Sequence, residues 1–118
     1  MKQINIVNAY QNIEKLSEIK DLNEQERWAL YQLRRRLRAH FEYQKKREDE
    51  IRSKYTEFAN EEGQLAGEKA QEFLNEINEL NNMDIDLGGY AKVNIRLVND
   101  VSFVLAESLE DFIEFTPC

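Results

Sequence analysis

The chain has 118 residues, of which 42% are apolar and 33% charged, and it carries a formal net charge of −7. That is the length of one domain, residues 1–118, with little room for a second core. No apolar run approaches the ~20 residues of a membrane-spanning helix, the N-terminus has no apolar signal core, and a single cysteine cannot form an internal disulfide.

These features point to a cytoplasmic protein and away from membrane and disulfide-stapled secreted classes. The cysteine, Cys118, is the last residue, whereas a prenylation box needs its Cys four residues from the end. It reads as an unremarkable terminal residue. Small domains bury a smaller share of their surface than large ones, so a partner or self-association is expected.

The charge is unevenly spread. Residues 1–33 carry a net −1, residues 34–56 a net +5 and residues 57–118 a net −11. Either one sign meets an outside partner, or the two halves lie against each other.

The first expected helix covers 5–20, with Ile6, Tyr10, Ile13, Leu16 and Ile19 at helical spacing. Asn23 followed by Glu26 is a variant capping box and starts a second helix, expected over 24–59 and about 50 Å long at ~1.5 Å per residue. Leu30, Leu33, Leu37, Phe41, Ile51, Tyr55 and Phe58 form its apolar stripe. The stripe thins from Gln44 to Glu50, where the helix is expected to stand in solvent or meet a partner.

After a loop with two glycines, a third helix is expected over 68–80, with Ala70, Phe73, Leu74, Ile77 and Leu80 on one face. Folded back on the second helix, its Glu68, Glu72, Glu76 and Glu79 approach Arg47, Arg52 and Lys54.

Met83 to Leu87 and Lys92 to Leu97 then alternate with period two around Gly88 and Gly89, the pattern of an antiparallel hairpin over about 83–98. A loop of residues 88–90 sets Ile85 opposite Val93 and Asp86 opposite Lys92, keeping apolar groups on one face. Ser102 can cap a final helix over 102–114, with Leu105, Leu109, Phe112 and Ile113 inward. The expected fold is α+β and helix-dominated: a long helical hairpin with a small antiparallel β-hairpin and a C-terminal helix.

No catalytic constellation is legible. His40 is the only histidine and Cys118 is distant in sequence, so no metal set is expected. Asp84 and Asp86 read as the polar face of a half-exposed strand. Gly88 and Gly89 lack the spacing of a phosphate cradle, and no cofactor is expected.

Arg34, Arg35, Arg36 and Arg38 are the strongest candidates for partner binding, and His40, Phe41 and Tyr43 follow as stacking groups for nucleic acid. Against nucleic acid stand the pI near 4.8 and the ~200° over which three adjacent helical residues spread. Trp28 lies off the leucine stripe and becomes an anchor candidate if exposed.

The run Asn8-Ala9-Tyr10-Gln11-Asn12-Ile13-Glu14-Lys15-Leu16, the long charged helix ending in Ile51-Arg52-Ser53-Lys54-Tyr55, and the closing Leu109-Glu110-Asp111-Phe112-Ile113-Glu114-Phe115 are arranged in an order that resembles small helical phage and prophage proteins of unknown function. The resemblance spans most of the chain. It implies a phage or prophage origin, with the host cytosol as location, and supplies no catalytic residue.

The expected function is a non-enzymatic protein–protein interaction protein, self-associating as a phage accessory or assembly factor. Its partner is protein, either its own copies or a host or phage protein, without membrane contact. The leading alternative is a small acidic phage inhibitor of a host defence protein. A weaker one is nucleic-acid binding through Arg34 to Arg38. An assembly role predicts stable oligomers through the second helix.

Overall fold

Asn23 and Glu26 start the longest element. In the computed structural model, which describes residues 1–117, helix α2 spans Glu24–Tyr55 and both arms of the capping box form. The Glu26 N–H donates to Asn23 Oδ1 at 2.8 Å, and the Asn23 N–H donates to Glu26 Oε1 at 3.0 Å. The reading of Cys118 lies outside the described residues. Helix α2 ends earlier than the expected 59. The chain tightens into a 3₁₀ turn over Thr56–Phe58, and Asn60 Oδ1 accepts from the N–H groups of Glu62 and Gln64. An Asn side chain that satisfies backbone donors competes with helix continuation, and Phe58 is left exposed rather than on the stripe.

Helix α1 (Gln3–Ser17) runs antiparallel to α2. Gln3 near its start donates to the His40 carbonyl at 2.7 Å, while Arg27 donates to the carbonyls of Ser17, Ile19 and Lys20 beyond its end. The guanidinium thus occupies the Ser17 carbonyl that the helix end leaves unpaired and two carbonyls of the turn that follows. Tyr10 stacks on Phe41 with ring centroids 4.4 Å apart.

Helix α3 (Gly67–Asn81) packs along the distal half of α2. The expected meeting of acidic and basic flanks is realised at one point, Lys54 to Glu76 at 2.5 Å. Arg47 pairs with Glu50, and Arg52 lies within ion-pair range of Glu48 and Asp49, all on their own helix. Nor does α2 stand free between Gln44 and Glu50. Gln44 is fully buried, and its amide donates to Glu48 Oε1 at 2.9 Å and Asn81 Oδ1 at 2.8 Å. This polar layer divides a large core, built on α1, the first half of α2 and the C-terminal segment, from a small one whose buried members among the described residues are Ile51, Tyr55 and Leu80.

The antiparallel hairpin over 83–98 is not formed. Strand β1 (Val93–Leu97) pairs in parallel with β2 (Ile113–Pro117), in the register Val93 to Ile113 and Ile95 to Phe115. Neither Ile85 with Val93 nor Asp86 with Lys92 is a pair. The alternation at 83–87 is real as burial, but its partner is the start of the chain. Lys2 bridges Asp84 antiparallel, the Gln3 N–H donates to the Met83 carbonyl at 2.9 Å, and the Ile85 N–H donates to the Met1 carbonyl at 2.8 Å.

The final helix is also shorter than 102–114. Helix α4 covers Phe103–Ser108, capped by Ser102, and serves as the crossover that parallel strands require. Leu109, Phe112 and Ile113 are buried as expected, but from a turn and a strand. Ile113, Glu114, Phe115 and Thr116 alternate with β-branched and aromatic residues, which suits a pleated, half-buried surface. The architecture is therefore helix-dominated with a small parallel sheet, measuring 53 × 31 × 19 Å. Among the described residues no helix is long and apolar enough to cross a membrane.

Candidate functional site

The 100° step of the helix separates the arginines. Arg34 turns toward α1, with its guanidinium 4.8 Å from the Tyr10 ring centroid and 3.5 Å from Glu14. Arg36 turns the other way and lies 5.4 Å from the Tyr90 ring. Arg34 is half-buried in its contacts, whereas Arg36 stays exposed. Arg35 is exposed on the outer face of α2, opposite the Leu30, Leu33 and Leu37 line, with half-buried Arg38 at the edge of that face, and neither forms an ion pair with a described residue.

Trp28 shares that outer face and is 59% exposed. It stacks on Tyr31 with centroids 5.5 Å apart and planes inclined by 19°. Residues 28, 31, 35 and 38 follow the i, i+3, i+7 spacing of one helix face. The result is an exposed aromatic pair followed by the exposed Arg35 and the half-buried Arg38 over about 15 Å, at ~1.5 Å per residue. Tyr31 was missed from sequence, although its position three residues after Trp28 was the available signal.

The other sequence candidates take structural roles. Asp84 Oδ1 holds the N-terminal ammonium at 3.1 Å, and Asp86 accepts from the Gly88 N–H at 2.8 Å in a turn where Gly88 has φ of +70°. His40 is half-buried, with its carbonyl engaged by Gln3. Among the described residues no three His, Cys, Asp or Glu side chains converge as metal ligands.

The most perturbed carboxyl is Glu26. Burial by itself raises its pKa, but hydrogen bonds from the Arg96 side chain, the Asn23 N–H and the Arg96 N–H, with the Arg96 charge, bring it down to about 2. Its work is to join α2 to β1. At the other end of α2, the Glu76 carboxylate and burial push the Tyr55 phenol up to about 12, while Lys54 and then Tyr55 hold Glu76 below the usual range.

A second surface was not anticipated from sequence. Beyond the small core, Tyr55, Ala59, Leu65, Ala70, Phe73 and Leu74 line an open apolar cleft of about 590 Å³ at the end of the α2–α3 hairpin. Leu74 is 51% and Phe58 45% exposed beside it. No protein-family model, curated protein or solved structure matches this chain.

Proposed function

We propose that this chain is a non-enzymatic protein–protein interaction protein, a self-associating accessory or assembly factor of the phage type, presenting the outer face of α2 to a protein partner. The observation that carries this reading is the exposed Trp28–Tyr31 stack beside the unpaired Arg35 and Arg38. Tryptophan, tyrosine and arginine are the side chains enriched among those that dominate binding energy at protein interfaces, and the two aromatics bury large areas at low entropic cost. The divergence of Arg34 and Arg36 weakens the nucleic-acid reading, since it leaves no single basic stripe in a chain of net charge −7.

The test is affinity capture from the cells that express the chain. Trp28→Ala with Arg35→Glu is expected to abolish capture of a protein that the wild type retains, with helical circular dichroism unchanged, because both positions lie outside the core. Undiminished capture by the variant would place the function elsewhere.

The acidic inhibitor reading draws support from Glu61, Glu62, Glu107, Glu110 and Asp111, all exposed. It demands a salt-sensitive complex with a basic protein that survives the Trp28 substitution and is lost when these carboxylates are neutralised.

A further inference from the structure

The two-stranded sheet has one covered edge and one open edge. The Val93 N–H donates to the Phe112 carbonyl at 3.0 Å, so Val93 and Ile95 turn their backbone polar groups toward β2. Arg96, one step out of phase, faces the other way and donates its N–H to Glu26 Oε2 at 2.8 Å, which covers the outer side of β1. On β2 the same alternation gives Glu114 and Thr116 to β1. The Phe115 N–H and the carbonyls of Ile113 and Phe115 therefore lie along the outer side, where no strand pairs among the described residues. An edge of this kind is a template for one more strand.

A groove of about 460 Å³ runs beside that edge. Ile113, Glu114 and Phe115 all line it, and successive strand residues point to opposite faces, so the groove reaches round the edge itself. Leu97, Phe103 and Ala106 extend its apolar floor toward α4. Phe103 and its neighbour Val104 are each 78% exposed, more than any other large apolar side chain described.

Charge decides the occupant. Residues 98–117 carry five acidic side chains and no basic one. Asp100, Glu107, Glu110, Asp111 and Glu114 are all exposed, and none forms an ion pair with a described residue. Glu107, Glu110 and Glu114 stand on the groove, with Lys92 its one basic lining residue among those described. Two copies meeting edge to edge would set this uncompensated acidic segment against itself, which opposes a symmetric pairing. A basic segment neutralises it.

We propose that the outer edge of β2 takes an extended, basic segment of another protein as a third strand. Its backbone pairs with Ile113 and Phe115, its apolar side chains cover Phe103, and its Lys or Arg side chains meet Glu107, Glu110 and Glu114. The inference rests on the acidic reading above, to which it gives a surface and a binding mode, and makes no use of the α2 face.

The probe is a capped peptide of alternating lysine and valine, about six residues long like an ordinary strand. It is titrated into the full chain, with helical content checked by circular dichroism. Binding is expected to slow hydrogen exchange at the Phe115 amide. Glu107→Gln, Glu110→Gln and Glu114→Gln together are expected to weaken binding about tenfold, the worth of three exposed ion pairs. Phe103→Ser is expected to weaken it several-fold. Removing the same charge at exposed Glu57, Glu61 and Glu62, or Trp28→Ala, should change Kd by less than about twofold. The same peptide N-methylated on the residues that face β2 keeps every charge and should not bind.

Equal binding of the N-methylated peptide overturns strand addition. Binding kept by the groove variant and lost with Glu57→Gln, Glu61→Gln and Glu62→Gln overturns the surface and leaves the acidic reading standing. No binding by wild type overturns the inference itself, whereas the acidic reading is decided separately by the salt-sensitive complex it demands. A wild-type oligomer that the peptide dissociates to the 14.0 kDa chain would put a second copy on the edge and overturn the foreign partner.

Discussion

Glu26→Gln is expected to lower the unfolding free energy by about 3 kcal/mol near neutral pH, as breaking one side of a buried ion pair does. Glu26 is 6% exposed, and Oε1 takes Arg96 Nη2 at 2.7 Å while Oε2 takes the Arg96 N–H at 2.8 Å. The same carboxylate closes the cap on α2, so one substitution loosens a helix start and its attachment to β1. Arg96 is partly exposed and can rehydrate, which keeps the loss from being larger.

The pH dependence follows from the depressed pKa. A drop from the ordinary 4.5 to about 2 makes ionised Glu26 worth about 3 kcal/mol at 1.36 kcal/mol per unit. That contribution is complete above the unfolded value of 4.5 and disappears as pH falls through about 2. Urea unfolding at a series of pH values should therefore show wild type and Glu26→Gln converging below 4.5. A stability difference that stays constant down to pH 2 would count against the buried pair.

The second large effect tests the parallel sheet. Ile95 is fully buried and lies opposite Phe115 across β1 and β2. Ile95→Ala is expected to cost about 3–4 kcal/mol, within the range of about 2–5 kcal/mol for truncating a buried isoleucine. Ile85→Ala, at a half-buried position, is expected to cost about 1–2 kcal/mol. An antiparallel hairpin with Ile85 against Val93 would make the two losses similar, so chemical denaturation of both variants separates the pairings.

Local chemistry was legible in the sequence, and pairing was not. Asn23 with Glu26 announced a helix start, and both cap bonds form. That Glu26 also receives Arg96, seventy residues away, is a tertiary contact with no local signature. The alternation at 83–87 correctly marked extended chain with alternating burial, but period two identifies a strand and not its partner, which proved to be Met1 to Gln3.

Residues 105–115 carry both periods at once. Leu105, Leu109 and Phe112 suit a helix, Ile113 and Phe115 suit a strand, and the choice depends on β1 being available alongside. For the candidate surface, the helical step correctly denied the arginines a common stripe. It could not reveal which of them would find Tyr10 or Tyr90. The cleft was hidden for another reason: Leu74 sits at core spacing, and its exposure reflects how little α2 covers of α3.

Sedimentation equilibrium of the wild-type chain over a wide concentration range, at low and high salt, tests self-association most directly. The account predicts a mass that rises above the 14.0 kDa of the single chain as concentration increases. The single-chain mass at every concentration would contradict it.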